Sequence, residues 1–206
     1  MDIIPVHKYK QNGSSLIELL IASFIGIIAI SLVGSIFING QRVAKNRGLE
    51  LLLAQNLTST MQIIKDDIQR AGYNDTDGQS VKLSAATNII EITPNSIGFV
   101  YHKKLSGAQK TYQNVIYKYS PSDKKLKVCE EETLITNIKS LTTVSNCYSL
   151  FDTQNIQVTN FSVLRKPLIT SSATSSIIGI QLDTELVNIP TMKKDLSFSV
   201  KQRNWQ

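Results

Sequence analysis

Histidine is nearly absent from this 206-residue chain: His7 and His102 are the only two. That excludes sites built on several imidazoles, such as a histidine-rich zinc cluster, and leaves little for a His-based catalytic triad. His102, alone in a strand or turn, reads as structural or exposed. Cysteine is as scarce, with Cys129 and Cys147 only. Neither has a second Cys or a His at ligand spacing, so a metal site has no support. No phosphate-cradling glycine loop or dinucleotide fingerprint occurs. Charged residues are 18% of the chain, while Ser, Thr, Asn and Ile are plentiful. Such a composition suits a β-rich domain outside the cytoplasm and not a disordered one. Together these absences point away from an enzyme and from any cofactor.

The formal net charge is +6. Residues 1–13 contribute +1 of it, from Lys8 and Lys10 against Asp2, leaving +5 on the rest. Beyond residue 100 the lysines cluster only in pairs, Lys103-Lys104, Lys124-Lys125 and Lys193-Lys194. Dispersed surface lysines explain this pattern; a nucleic-acid face is the alternative. The cysteine pair, in a domain expected to be exported, reads as a disulfide closing a short loop, worth ~3 kcal/mol. Two unpaired buried thiols are the other reading.

What is present is concentrated at the N-terminus. Residues 1–13 are polar and end in His7-Lys8-Tyr9-Lys10-Gln11-Asn12-Gly13. Ser14-Ser15-Leu16-Ile17-Glu18 follows, and from Leu19 to Ile38 no residue is charged. A run of about 20 residues spans roughly 30 Å as a helix, enough to cross a hydrocarbon core. Positive residues flank both ends, with Arg42, Lys45 and Arg47 beyond it, so charge alone does not orient the segment. An ordinary secretory signal is cut after its apolar core. Here Gly13 precedes the core, so a cut there removes the polar leader and keeps the helix. A plain signal anchor is the alternative.

Glu18 stands alone at the head of that apolar run. A carboxylate within a bilayer costs about 2.5–3.5 kcal/mol on insertion scales, so it needs a partner. Cleavage before Ser14 would create an α-amino group four residues away. Pairing with that amine, its own or a neighbouring subunit's, would position one subunit against the next. Ser15-Leu16-Ile17-Glu18 also fits a capping box, with Glu18 returning to the Ser15 N–H. The pattern alone leaves both readings open.

Past the apolar run, Leu53, Leu57, Met61, Ile64 and Ile68 recur at spacings of four, four, three and four. That is one stripe on a helix, expected to pack on a sheet. Lys65, Asp66, Asp67, Gln69 and Arg70 read as the solvated side. The helix is expected from about residue 15 to 71, stopping near Gly72, with Gly26, Gly34, Gly40 and Gly48 as points where it can bend. Ala22 and Gly26 form a small-xxx-small pair that permits close helix contact.

After residue 75 the pattern becomes strand-like. Ile89–Ile92 and Ile97–Tyr101 flank Thr93-Pro94-Asn95-Ser96 as a hairpin. Val115, Tyr117 and Tyr119 alternate, Ser120-Pro121-Ser122-Asp123 is a turn, and Lys124–Val128 returns. Further strands are expected at 156–165, 176–187 and 195–203, with 166–176 as a loop. Glu130-Glu131-Glu132 reads as a loop near Cys129.

Gly13-Ser14-Ser15-Leu16-Ile17-Glu18-Leu19 with its apolar run resembles the class III signal of type IV prepilins. Ile68-Gln69-Arg70-Ala71-Gly72-Tyr73 is similar to the end of the long helix in minor pilins of the PilW and PpdB type, which overlap the GspJ-like pseudopilins. Ile116-Tyr117-Lys118-Tyr119, Ile178-Gly179-Ile180-Gln181-Leu182 and Val200-Lys201-Gln202-Arg203-Asn204 are similar to later strands. The likeness is dense over 13–73 and thin afterwards. It implies an α+β pilin ladle: leader 1–13, removed; transmembrane 14–40; amphipathic helix 41–73; β domain 74–206. It implies cleavage between Gly13 and Ser14 by a prepilin peptidase, N-methylation of Ser14, and an assembly role for Glu18. Ser14 stands where the family usually has Phe, and Ser35 near where major pilins often have Pro, which favours a minor subunit. Implied partners are other minor and major pilins and an inner-membrane assembly platform. The implied location is the inner membrane by a single pass, leader cytoplasmic and β domain periplasmic, then a pilus or pseudopilus. Some pseudopilins bind calcium, which makes 130–132 a candidate calcium site, but the oxygen-rich spacing of a calcium loop is absent.

Overall fold

Helix α1 runs unbroken over Leu16–Arg70, through all four of its glycines. The computed structural model describes residues 15–75, 79–103, 111–169, 171 and 174–204. The chain divides into two compact units, Met1–Leu49 and Glu50–Gln206. In the second, the last five turns or so of α1 bury the periodic stripe. Leu53, Ile64 and Ile68 are fully inaccessible, and Leu57 and Met61 nearly so. The helix ends where Gly72 adopts φ +76°. Its N–H donates to Val100 O at 2.8 Å, and His102 N–H to Tyr73 O at 2.8 Å, so the chain leaves the helix directly along a strand.

The stripe packs on two antiparallel meanders. The first has the order β1-β2-β3-β4-β5, with β1 Glu91–Thr93, β2 Ser96–Lys103, β3 Thr111–Ser120, β4 Lys125–Thr133 and β5 Cys147–Ser149. The second is β6 Ile156–Ile169, β7 Thr174–Leu186 and β8 Ile189–Lys201. The alternation at Val115, Tyr117 and Tyr119 places all three inside. A bulge between Val158 and Asn160 disturbs the β6–β7 ladder. There the Tyr119 hydroxyl donates to Thr159 O at 3.1 Å and contacts Val158 O at 3.3 Å, tying one sheet to the other.

Several expected boundaries move. The 166–176 loop is not a loop: Lys166 pairs with Ile177 and Pro167 with Ser176, so the hairpin continues to Ile169 and Thr174. Pro167 is tolerated because β6 is an edge of its sheet, where a missing N–H leaves no ladder partner unsatisfied. The last strand begins at Ile189, six residues before the expected 195, because Val187-Asn188 is the hairpin turn. Thr191–Lys194 show no apolar alternation; Thr191 and Lys193 lie exposed and Met192 and Lys194 half-buried. Glu130-Glu131-Glu132 belongs to β4, where Val115, Asn114 and Gln113 oppose it. The first hairpin is tighter than expected, with Thr93 opposite Ser96. Ile89 and Ile90 precede β1 and are fully buried.

Cys129 and Cys147 face each other across β4 and β5 and are joined. Replacing both with serine is expected to remove ~3 kcal/mol, the loop-closure entropy for a separation of 18 residues. Urea unfolding of the full chain in micelles, oxidised against the variant, measures this.

Candidate functional site

Gly13 and Ser14, the expected cleavage junction and methylation site, lie outside the described residues; the described site begins at Ser15. The Ser15 N–H donates to Glu18 Oε2 at 3.3 Å. The Leu19 N–H donates to Ser15 O at 3.2 Å and closes the first turn. The capping-box contact is therefore formed, satisfying a donor that a helix start otherwise leaves open. A carboxylate has about four lone-pair sites, so this single bond leaves Glu18 able to accept a second donor.

The apolar run that follows is exposed along its length, and none of its most hydrophobic stretch is buried by the rest of the chain. Its three serines turn their hydroxyls inward on the helix. Ser23 donates to Leu20 O at 2.9 Å, Ser31 to Ile27 O at 2.8 Å and Ser35 to Leu32 O at 2.9 Å. The segment thus satisfies its hydroxyls internally and turns hydrocarbon outward, as lipid requires. By length and composition it is compatible with a single-pass membrane anchor.

Among the described residues of the β domain, the side chains singled out in the sequence lie apart. His102 is 6% exposed and lies edge-on to Tyr112, at 5.4 Å between centroids, with Tyr73 at 6.3 Å. It packs as a core ring. The three glutamates diverge. Glu130 accepts the Tyr148 hydroxyl at 3.0 Å, Glu131 pairs with Lys139 at 2.9 Å, and Glu132 with Lys103 at 3.3 Å. Successive side chains of a strand point to opposite faces, so these carboxylates do not converge on one point. Among the described residues no three His, Cys, Asp or Glu side chains are grouped to hold a metal.

The helix's solvated side needs one correction. Asp66 is exposed, but Asp67 is only 8% exposed and accepts the Tyr117 hydroxyl at 2.6 Å. Arg70 lies 3.6 Å from its other oxygen and stacks over Tyr101 at 5.9 Å. The signal was available: Thr60, Ile64 and Asp67 follow at spacings of four and three, which flanks the apolar stripe.

The family model described as prepilin peptidase-dependent protein B (PpdB) matches residues 47–202. No curated protein matches the chain, and no solved structure does. The match covers α1 from residue 47 onward and almost all of the β domain; the likeness read from the sequence was dense as far as residue 73 and thinner beyond it. The match does not include the N-terminal motif, so the two observations are independent.

Proposed function

The chain belongs to the family of prepilin peptidase-dependent protein B, and from that premise we propose that it is a non-catalytic minor subunit of a type IV pilus or related pseudopilus. In this reading residues 1–13 are a cytoplasmic leader. The prepilin peptidase cuts between Gly13 and Ser14, the new amino group is methylated, and residues 14–40 hold the subunit in the inner membrane with its β domain in the periplasm. There it joins other pilins and helps begin a filament. One observation carries the proposal. Glu18 is the sole charge at the head of an exposed apolar helix, four residues from the amine that cleavage would create. Its bond to the Ser15 N–H supports a division of labour, one oxygen capping the helix and the other receiving the amine.

Mass spectrometry of the purified protein tests cleavage. The expected N-terminus is a methylated Ser14, and Gly13→Val is expected to abolish the shorter form. A chain beginning at Met1 beside an active peptidase overturns the proposal. Glu18→Ala is expected to be cut normally but to lower incorporation into filaments; unchanged filament number and incorporation would reject the assembly role.

A further inference from the structure

β8 is a free edge, and its backbone groups can be assigned. The Gln202 N–H donates to Ser176 O at 2.9 Å, one step beyond the Ile177–Lys201 pair. Hydrogen-bonded and non-bonded pairs alternate along an antiparallel ladder. Phe198 and Val200 therefore direct their N–H and C=O toward β7, and Ser197 and Ser199 direct theirs away from it. Among the described residues neither serine has a backbone partner outside the sheet. The first half of the strand is guarded in the ways edge strands usually are. Pro190 has no N–H, Lys193 pairs with Glu185 at 3.1 Å, and Lys194 reaches Glu50 at 2.7 Å.

The second half opens on a groove of about 500 Å³ beside α1. Lys65 and Gln69 line it from the helix; Ser199, Lys201 and Arg203 line it from the strand side. Among the described residues that line this space, Lys65 and Arg203 are cations and none is a carboxylate. Lys65 and Arg203 make no ion pair among the described residues.

We propose that this groove receives an extended, acidic segment of a partner protein, added as a strand to the β8 edge. Charge complementarity selects the acid, and the free edge selects the extended peptide. A nucleic-acid backbone could satisfy the cations, but its phosphates only accept, so the outward carbonyls of Ser197 and Ser199 would stay unpaired. An added strand supplies donor and acceptor together every second residue, which is the recognition mode of β-augmentation. The site is independent of the cleavage and anchoring described above, and either can fail alone.

The test uses the full chain in detergent micelles and a fluorescent octapeptide of alternating Glu and Val. Controls are the same peptide N-methylated at alternate residues, an alternating Lys and Val peptide, and a single-stranded DNA 12-mer. The acidic peptide is expected to bind, and the N-methylated and basic peptides are not. Hydrogen exchange at Ser197 and Ser199 should slow about tenfold or more when the peptide is bound. The double variant Lys65→Gln, Arg203→Gln should bind it about tenfold more weakly with unchanged near-ultraviolet dichroism. No binding, equal binding of the N-methylated peptide, or tighter binding of the DNA without slowed exchange at Ser199 would each overturn the proposal.

Discussion

Gly72→Val is expected to destabilise the β domain by about 4 kcal/mol. Two effects add. Gly72 has φ +76°, a region that costs an L side chain ~1–2 kcal/mol. A Cβ there would also run into Ile89 Cγ2 and come within 3.3 Å of Ile89 Cδ1. Ile89 is fully buried and has little room to yield. Overpacking of this kind costs about 1–3 kcal/mol. The backbone cannot shift freely either, since Gly72 N–H is bound to Val100 O and Gly72 O to the Val81 N–H. Gly72→Ala should move the urea midpoint in the same direction by less. Gly48→Ala is the contrast: nothing lies within 4 Å of its Cβ position, so removing a helical glycine should stabilise by up to about 1 kcal/mol. Equal midpoints for Gly72→Val and the wild type would rule out this account of the helix stop.

Tyr117→Ala is expected to be as severe, about 4 kcal/mol, because it empties a fully buried aromatic site. Tyr117→Phe isolates the hydroxyl, and about 2 kcal/mol should be lost, the worth of a hydrogen bond to a charged acceptor. The pair also fixes a pH dependence. Burial raises the Asp67 carboxyl above its ordinary 3.8; the Tyr117 hydroxyl and Arg70 pull it down, Glu130 and Asp66 push it up, and the net direction is upward. Burial and the Asp67 charge together drive the Tyr117 hydroxyl upward, so it remains a donor. With a raised folded value, the folded state holds the Asp67 proton more tightly than the unfolded chain does. That stabilisation is complete below 3.8 and is lost as pH rises through the folded value. Asp67→Asn should therefore gain stability relative to the wild type between about pH 4 and about pH 7. Unfolding free energies of the two proteins across that range measure it, and a constant or shrinking difference contradicts burial as the dominant influence.

Periodic features were the most readable in the sequence. The stripe from Leu53 to Ile68 follows the helical repeat and is buried where expected, and Tyr117 follows the strand repeat. Residues read by type alone were misplaced. Three consecutive glutamates suggest a loop, yet each meets its own partner, Tyr148, Lys139 or Lys103, from a different direction. Pro167 suggests a break, but an edge strand accommodates it. Asp67 suggests solvent by type, although its place beside the stripe marks it for burial; its acceptor role depends on Tyr117, fifty residues later. Long-range partners of this kind leave no local trace. At the N-terminus, the sequence offered two uses for Glu18, and the geometry displays the local one.

Asn114 has a consequence for how the domain matures. It is fully inaccessible, and its amide donates to Glu131 O at 3.0 Å and Thr133 Oγ1 at 2.9 Å while its oxygen accepts the Lys139 N–H at 3.0 Å. This clamps the middle of the segment between the two cysteines without using either sulfur. The thiols can then be brought face to face before any oxidant arrives, so oxidation seals a shape already reached and does not have to create it. The fold would tolerate a delay in thiol oxidation, and the reduced protein would differ from the oxidised one in durability more than in form.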